Sequence, residues 1–574
     1  MKEHSPEDVL VPERLTRRQW LGRVPVPVIA ATLGAGLMQE RTAEGQSNDA
    51  AADRGVRVYN IRNYGAKGNG ITLDTTAVQL AINACFNDGG GTVLVPAGTF
   101  VIGTVEIKSN VTLHISAGGK LLGSVDGKQY HAVEAIPLHG DSTLEDGNWA
   151  LLFAVNAKNV TIEGPGAIDG QGIQFHSPEH GVLPPSGLGG NRRPYHLLCY
   201  RCENLTVRNI DMLESAYHSV RVIQSKRVHM DSIYIHNRVN GNNDGFHFIS
   251  CEYVTVSNCI IQSQDDACAL FGSCKYITIT NSSFSTRWSV FRFGGGVAEN
   301  ITVSNCVLYQ VYGCPIKFHG SPGSRFENML FSNLVLDDVT GPIHISIGPS
   351  NRTTTDDAAV EAKKGPAIAR NISFSNIHGT VTTSPSQLPD FPFHSGYRPG
   401  EGHSCITLNC VGDAVLENIS FDDVHITFGG GGTAEEAARR ELPQIAGEYF
   451  MLGPMPAYGF YARNAKGITL QNVRFQVSAP DLRPAVILDH VEDAAISGLS
   501  VQGNTQAESV LRLIDSKQVL LTAARLLTPA AVFLQMEGRE NEAIKIDGGD
   551  FSKASRLLAF KNGATEGAIK VKDE

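Results

Sequence analysis

The sequence lacks any block or stripe of lysine and arginine, and its formal net charge is −10, so no nucleic-acid surface is expected. Aromatic residues make up 7% of the chain and tryptophan occurs three times, too few for the tryptophan signature of propeller blades. Leucine does not recur at the fixed offsets of a leucine-rich array. No apolar run reaches the roughly 18 residues that favour a membrane-spanning helix, so no stable membrane insertion is expected. Cys199-x-x-Cys202 has no second Cys/His pair at finger-like spacing, which argues against zinc; no metal and no cofactor are expected. The 11 cysteines are an odd number, so at least one has no partner within the chain.

What the chain does have is glycine, 59 residues of it, together with modest charge, a composition suited to many short strands joined by tight turns. Near the start, Thr16-Arg17-Arg18-Gln19-Trp20-Leu21-Gly22 places paired arginines before an aromatic and a leucine. An uncharged run from Val24 to Met38 follows, and then a polar stretch. This pattern reads as a twin-arginine export signal and polar linker over residues 1–52, leading to a periplasmic or extracellular location. Residues 53–574 are expected to form the folded part.

One phrase recurs along that part: a polar residue, often asparagine, followed by alternating β-branched residues. It appears at Asn159-Val160-Thr161-Ile162, Asn204-Leu205-Thr206-Val207, Tyr253-Val254-Thr255-Val256, Tyr276-Ile277-Thr278-Ile279, Asn300-Ile301-Thr302-Val303, Asn371-Ile372-Ser373-Phe374 and Asn418-Ile419-Ser420-Phe421. The central spacing is roughly 23 to 28 residues, the signature of a solenoid. Each phrase is a short strand with one apolar face, and so short a strand buries that face only by stacking on the next coil. The expected fold is all-β: a single-stranded right-handed parallel β-helix. Steps such as Asn258-Cys259, Asn281-Ser282 and Asn305-Cys306 fit polar ladders at the turns. Cys251 with Cys274, Cys259 with Cys306, and Cys268 with Cys314 read as equivalent positions, small buried thiols stacked inside the solenoid.

The open N-terminal end needs a cover. Asp74-Thr75-Thr76 is a candidate N-cap for a capping helix whose Val78, Ala81, Ile82 and Cys85 form one apolar face, stopped by Gly89-Gly90-Gly91. Long insertions at 171–195, 350–366, 382–404 and 429–458 are expected to wall a binding site.

Three aspartates are the candidate chemistry. Asn242-Asn243-Asp244 precedes one strand, and Gln264-Asp265-Asp266 precedes another one coil later. A one-coil offset stacks Asp244 against Asp265 and Asp266 at a strand spacing of about 5 Å. Crowded carboxylates raise the pKa of at least one of them. A raised acid that protonates a glycosidic oxygen, beside ionised neighbours that activate water, is what glycoside hydrolysis requires. Arg287 and Arg292 lie one coil further on, Lys317 and His319 one beyond that, and Tyr217 with His218 one coil before. Flanked in this way, the aspartates look like a subsite for a negatively charged sugar, so the expected partner is an acidic polysaccharide or oligosaccharide.

The chain resembles the polygalacturonase family, glycoside hydrolase family 28, of the pectin-lyase-like superfamily. The likeness begins at Tyr59-Asn60-Ile61-Arg62-Asn63-Tyr64-Gly65-Ala66, passes through Gly91-Thr92-Val93-Leu94-Val95-Pro96-Ala97-Gly98, and covers most of the chain. Asn242-Asn243-Asp244 is similar to the family's Asn-Thr-Asp motif, and Asp265-Asp266 to its Asp-Asp motif. The resemblance implies that Asp265 is the general acid and that Asp244 and Asp266 position water in an inverting reaction. It also implies that Lys317, in Pro315-Ile316-Lys317, is the lysine of the Arg-Ile-Lys motif that grips a substrate carboxylate, with Asn242 and the other flanking residues in substrate binding. Two positions depart from the pattern. The Gly-His-Gly motif has no counterpart, Arg287-Trp288 standing near its place, and Pro315 replaces the arginine of Arg-Ile-Lys.

Two other readings stay open at this point. A polysaccharide lyase on the same scaffold, using calcium and an arginine or lysine base, would make Arg287, Arg292 or Lys317 central. A non-catalytic carbohydrate-binding solenoid would bind glycans without converting them.

Overall fold

The computed structural model describes residues 57–136, 148–175, 192–350, 365–385, 388, 398 and 400–572. The export signal expected over 1–52 lies outside these residues, as do parts of three of the expected insertions.

The repeat begins with backbone conformation. The residue that opens each phrase adopts a left-handed φ: 55° at Asn159, 61° at Asn204, 59° at Asn300, 57° at Asn328, 56° at Asn371 and 56° at Asn418. Asparagine tolerates this region better than other non-glycine residues because its short amide bonds locally. Stacked on one another, these amides form ladders. Asn371 Nδ2 donates to Asn328 Oδ1 at 3.1 Å and Asn418 Nδ2 to Asn371 Oδ1 at 3.3 Å. A second ladder runs through Asn305, Asn333 and Asn376 at 2.9 and 2.8 Å. Where Tyr253 and Tyr276 open the phrase, their rings stack at 5.1 Å instead.

After the left-handed residue the strand alternates, and Ile301 and Val303 are buried while Thr302 faces solvent. Successive coils align these positions in parallel register, so Ile277, Ile301, Met329, Ile372, Ile419 and Ile468 form one internal column. A neighbouring column stacks Phe331, Phe374 and Phe421 at 5.1 and 4.9 Å. Each such side chain contributes about 1.5–3 kcal/mol on burial. Forty strands are described, arranged in a 25-stranded and a 15-stranded sheet. The chain is a right-handed parallel β-helix.

The N-terminal helix spans Thr75–Asn87 and buries Ala77, Val78, Ala81, Ile82 and Cys85 against the first coils. Asp74 occupies the N-cap position without capping it. Its carboxylate instead accepts from Lys67 N at 2.7 Å and Gly68 N at 3.0 Å, tying down the preceding turn. At the other end Gly90 N closes on Cys85 O at 2.9 Å.

All eleven cysteines are free and buried. Cys251 stacks on Cys274 as expected from the repeat, since Glu252 pairs with Lys275. The third pair needs correction. Cys268 aligns with Phe291 and then Ile316, whereas Cys314 aligns with Ser289; a two-residue offset within the coil separates them.

Candidate active site

The 15-stranded sheet builds the site. Its strands Val220–Ile223, Phe246–Ile249, Cys268–Phe271, Ser289–Gly294, Cys314–Gly320 and Ile343–Ile347 stack in register. Core side chains such as Phe246, Phe248, Phe291 and Phe293 alternate with an opposite row: Arg221, His247, Ala269, Arg292, Lys317 and His344. Three cations and two histidines thus share one line along the sheet. The aspartates sit on the turns that enter these strands.

Asn243 organises those turns. Its buried Oδ1 accepts from Val239 N at 3.1 Å and Asn240 N at 2.6 Å, and its Nδ2 donates to Ser215 O at 2.9 Å and Tyr217 O at 2.7 Å. All of its amide hydrogen-bonding capacity toward the chain is thereby engaged. Its own carbonyl accepts from Gln264 N and Asp265 N, at 3.1 and 3.2 Å, which fixes the next coil's turn. Gly245 N then donates to Asp266 O at 3.0 Å, placing Asp244 beside Asp266. A Cβ at Gly245 would meet Ala267 O at 2.4 Å, so only glycine lets the two turns stack this closely.

The three carboxylates have different surroundings. Asp244 is 4% exposed, with His247 Nδ1 at 3.1 Å from Oδ2 and His218 Nε2 at 3.5 Å from Oδ1. Arg221 lies 3.2 Å from His218 Nδ1. Because a guanidinium only donates, Nδ1 accepts and the ring proton lies on Nε2, toward Asp244. Burial, then the charges of Arg221, hold both histidines below their ordinary range and hence neutral. Burial, followed by the charges of Asp265 and Asp266, pushes the Asp244 carboxyl well above the usual carboxylate range. Asp266 is 3% exposed; its Oδ2 meets Arg292 at 3.2 Å and its Oδ1 accepts from Ser289 N at 3.3 Å. Asp265 is the half-buried member. Its carbonyl is anchored by Ser263 Oγ and Thr286 Oγ1, at 2.7 and 2.6 Å.

Two glutamates from the insertions complete the site. Glu448, on the 429–458 excursion, lies 2.6 Å from Lys317 Nζ and 3.5 Å from Arg292. Burial alone would raise its pKa, yet Lys317 and Arg292 outweigh burial and hold it far below the carboxylate range. Glu401, on the 382–404 insertion, pairs with Arg287 at 3.2 Å. Trp288 is half-buried, with Arg287, Lys317 and Arg398 at 5.6, 5.1 and 5.6 Å from its ring and Phe450 at 5.8 Å.

The sequence profile of glycosyl hydrolases family 28 matches residues 85–389, more than half of the chain. The chain belongs to glycosyl hydrolase family 28. It is a glycoside hydrolase by that membership. Among relatives, an exo-poly-alpha-D-galacturonosidase of Dickeya chrysanthemi is 25% identical over 390 residues, which are 58% of this chain and 60% of that protein. An exopolygalacturonase of Zea mays is 24% identical over 423 residues, 67% of this chain and 88% of that one. A solved family 28 exopolygalacturonase of Yersinia enterocolitica shares 17% identity at a TM-score of 0.46, covering 78% of this chain and 75% of its own.

In this family 28 chain the aspartates read from the sequence do come together. The flanking residues are placed less uniformly. Tyr217 is 1% exposed and packs on His218 and Tyr195, with Arg193 over its ring at 4.5 Å. Asn242 has φ 52° and accepts from Arg193 at 3.1 Å. His319 is half-buried two residues beyond Lys317, paired in register with Gly294. Arg287, Arg292 and Lys317 each face a carboxylate of the chain itself: Arg292 meets Asp266, and Arg287 and Lys317 meet glutamates of the insertions. His247, Glu401 and Glu448 were not singled out. The one-coil interval from Arg221 through Ala269, Arg292 and Lys317 would have found His247. Nothing periodic marks the glutamates, which lie 114 and 131 residues from their partners. His218, Asp244 and His247 also present ligand atoms within 4.8 Å of one another, but Arg221 beside His218 opposes a divalent cation there.

Proposed function

We propose that this family 28 hydrolase cleaves glycosidic bonds of a pectic, uronate-containing polysaccharide or oligosaccharide by inverting acid–base catalysis. The observation that carries the reading is the stack of Asp244, Asp265 and Asp266 on adjacent turns, with Asp244 held between two neutral histidines. The substrate class follows the relatives, which are polygalacturonases by name. Asp265, the one carboxyl of the three that is only half-buried, donates its proton to the glycosidic oxygen as the C1–O bond breaks. Water attacks C1 from the opposite face and gives up a proton to Asp244 or Asp266. Asp266 is paired with Arg292 at 3.2 Å, and Asp244 lies between His218 and His247, so the two carboxyls flank the attacking water. The lyase reading is disfavoured by the same geometry: Arg287, Arg292 and Lys317 are each engaged by a carboxylate of the chain itself, so none of them is presented as a base to a substrate.

The test is proton NMR of the full-length chain acting on pectic oligosaccharides. The first-formed anomer should be inverted relative to the cleaved bond, with no rise in ultraviolet absorbance from an unsaturated product. Asp265→Asn should lower kcat by about 10²–10⁴-fold with an unchanged circular dichroism spectrum. A retained anomer, an unsaturated product or a fully active variant overturns the mechanism. We also propose export of the folded chain through the twin-arginine signal. Replacing Arg17 and Arg18 by lysine should hold it in the cytoplasm, and undiminished export would refute that reading.

A further inference from the structure

We infer that the sugar unit seated over Arg292 and Lys317 is neutral, because the Glu448 carboxylate already stands where a uronate carboxylate would have to bind. The inference rests on the hydrolase reading above and narrows its substrate.

The first support is geometric. Lys317 and Arg292 are consecutive members of the row beside the aspartates, and both are directed at Glu448, at 2.6 and 3.5 Å. Lys317 is 1% exposed and Glu448 2% exposed, so no face of the ammonium is left for an incoming anion. Arg292 has Asp266 on one terminal nitrogen and Glu448 on the other.

The second support is charge. Asp244, Asp265, Asp266 and Glu448 are four carboxyls set against three cations, Arg221, Arg292 and Lys317, while Arg287 and Glu401 cancel as a pair of their own. Within this cluster the carboxyls outnumber the cations, so the row itself has no surplus positive charge for another carboxylate; the further cation Arg398 is exposed and lies over the Trp288 and Phe450 rings. A uronate here would add a fifth acid to a cluster already crowded enough to disturb Asp244.

The third is that Glu448 is fixed. Its neighbours are pinned to the solenoid: Ala446 N to Pro349 O at 2.7 Å, Gly447 N to Ser346 Oγ at 3.1 Å, and His344 Nε2 with Gly447 O at 3.0 Å. Tyr449 Oη sits 3.2 Å from Thr340 Oγ1. Arg463 holds Leu442 O and Pro443 O further back along the excursion. A carboxylate gripped from both sides is part of the site's wall. Beside it, the half-buried rings of Trp288 and Phe450 offer an amphipathic surface that suits the C–H face of an uncharged sugar.

The experiment compares two probes with the full-length chain. Oligogalacturonides carry a uronate on both sides of every bond, whereas rhamnogalacturonan oligosaccharides alternate neutral and acidic units. Products are reduced with borodeuteride and read by mass spectrometry, which identifies the units on both sides of each cleaved bond. The expected result is cleavage in which at least one flanking unit is neutral, with kcat/KM at least tenfold above that for oligogalacturonides. Glu448→Gln, which frees Lys317 and Arg292, should narrow that ratio at least tenfold, mainly through a lower KM for oligogalacturonides. A wild-type preference for bonds between two uronates overturns the inference while leaving the hydrolase reading intact. So does a folded Glu448→Gln with the wild-type ratio; if that variant does not fold, the wild-type ratio decides alone. Cleavage of neither probe overturns both readings.

Discussion

Replacing Lys317 with methionine keeps most of the side chain's volume and removes its charge, so the effect on the Glu448 pair is isolated from packing. Both partners are nearly inaccessible, and Nζ lies 2.6 Å from Oε2. Two unit charges about 4 Å apart attract by about 4 kcal/mol at an effective dielectric near 20. Removing one partner of a buried pair costs about 3–5 kcal/mol, because the other is left uncompensated. Arg292, 3.5 Å from Glu448, remains as a second partner, so the lower end of about 3 kcal/mol is expected. Glu448→Gln should be destabilising for the same reason, and the double variant should recover at least about 2 kcal/mol of the summed losses. Urea titrations followed by Trp288 fluorescence suit the measurement, since that ring lies 5.1 Å from Nζ and a solenoid need not unfold in one step. Moderate salt should leave the coupling unchanged, as screening barely reaches a buried pair. Energies that add to within about 0.5 kcal/mol would show that the two groups are not coupled and would remove the physical basis for the neutral subsite.

Three further outcomes follow from the geometry. Because the Asp244 pKa is raised by folding, its stabilising contribution is present below the ordinary carboxylate range and is lost as pH rises through the raised value. Asp244→Asn should therefore melt higher than the wild type at pH 7, with the gap closing toward pH 4, while losing activity; a gap independent of pH would contradict the assignment. Asn371→Val should lose the two ladder bonds and also suffer left-handed strain, whereas Asn371→Gly loses only the bonds. The two should differ by about 1–2 kcal/mol in chemical denaturation, and equal losses would mean that the left-handed backbone carries no strain. Burial pushes the Cys259 and Cys405 thiols up to about 12, and all eleven cysteines are free and buried, so reductant should not move the melting temperature and a thiol reagent should label the chain only after unfolding. A drop in melting temperature with reductant would reveal a disulfide.

Much of this protein is decided close to each residue. A left-handed asparagine followed by β-branched alternation makes a strand with one dry face, and the recurrence of that phrase leaves stacking as the way to bury it. Once coils stack, a one-coil interval becomes adjacency, which is why Asp244, Asp265 and Asp266 could be brought together on paper. Local pattern was less reliable within the coil: Cys268 and Cys314 sit two residues out of step, and the Asp74 carboxylate serves the turn before the helix rather than the helix itself. The interval that places Asp244 over Asp266 also lines up Arg221, His247, Arg292 and Lys317, so the row of cations was legible too. What those cations hold was not. Glu401 and Glu448 reach them along excursions with no repeat of their own, guided by contacts such as Gly447 with Ser346 and Arg463 with Pro443. Periodicity in the sequence thus determined which side chains lie side by side on the solenoid. The charge state of the site was decided only in three dimensions, because a carboxylate 131 residues away pairs with Lys317 through a path that depends on the packing of the whole insertion.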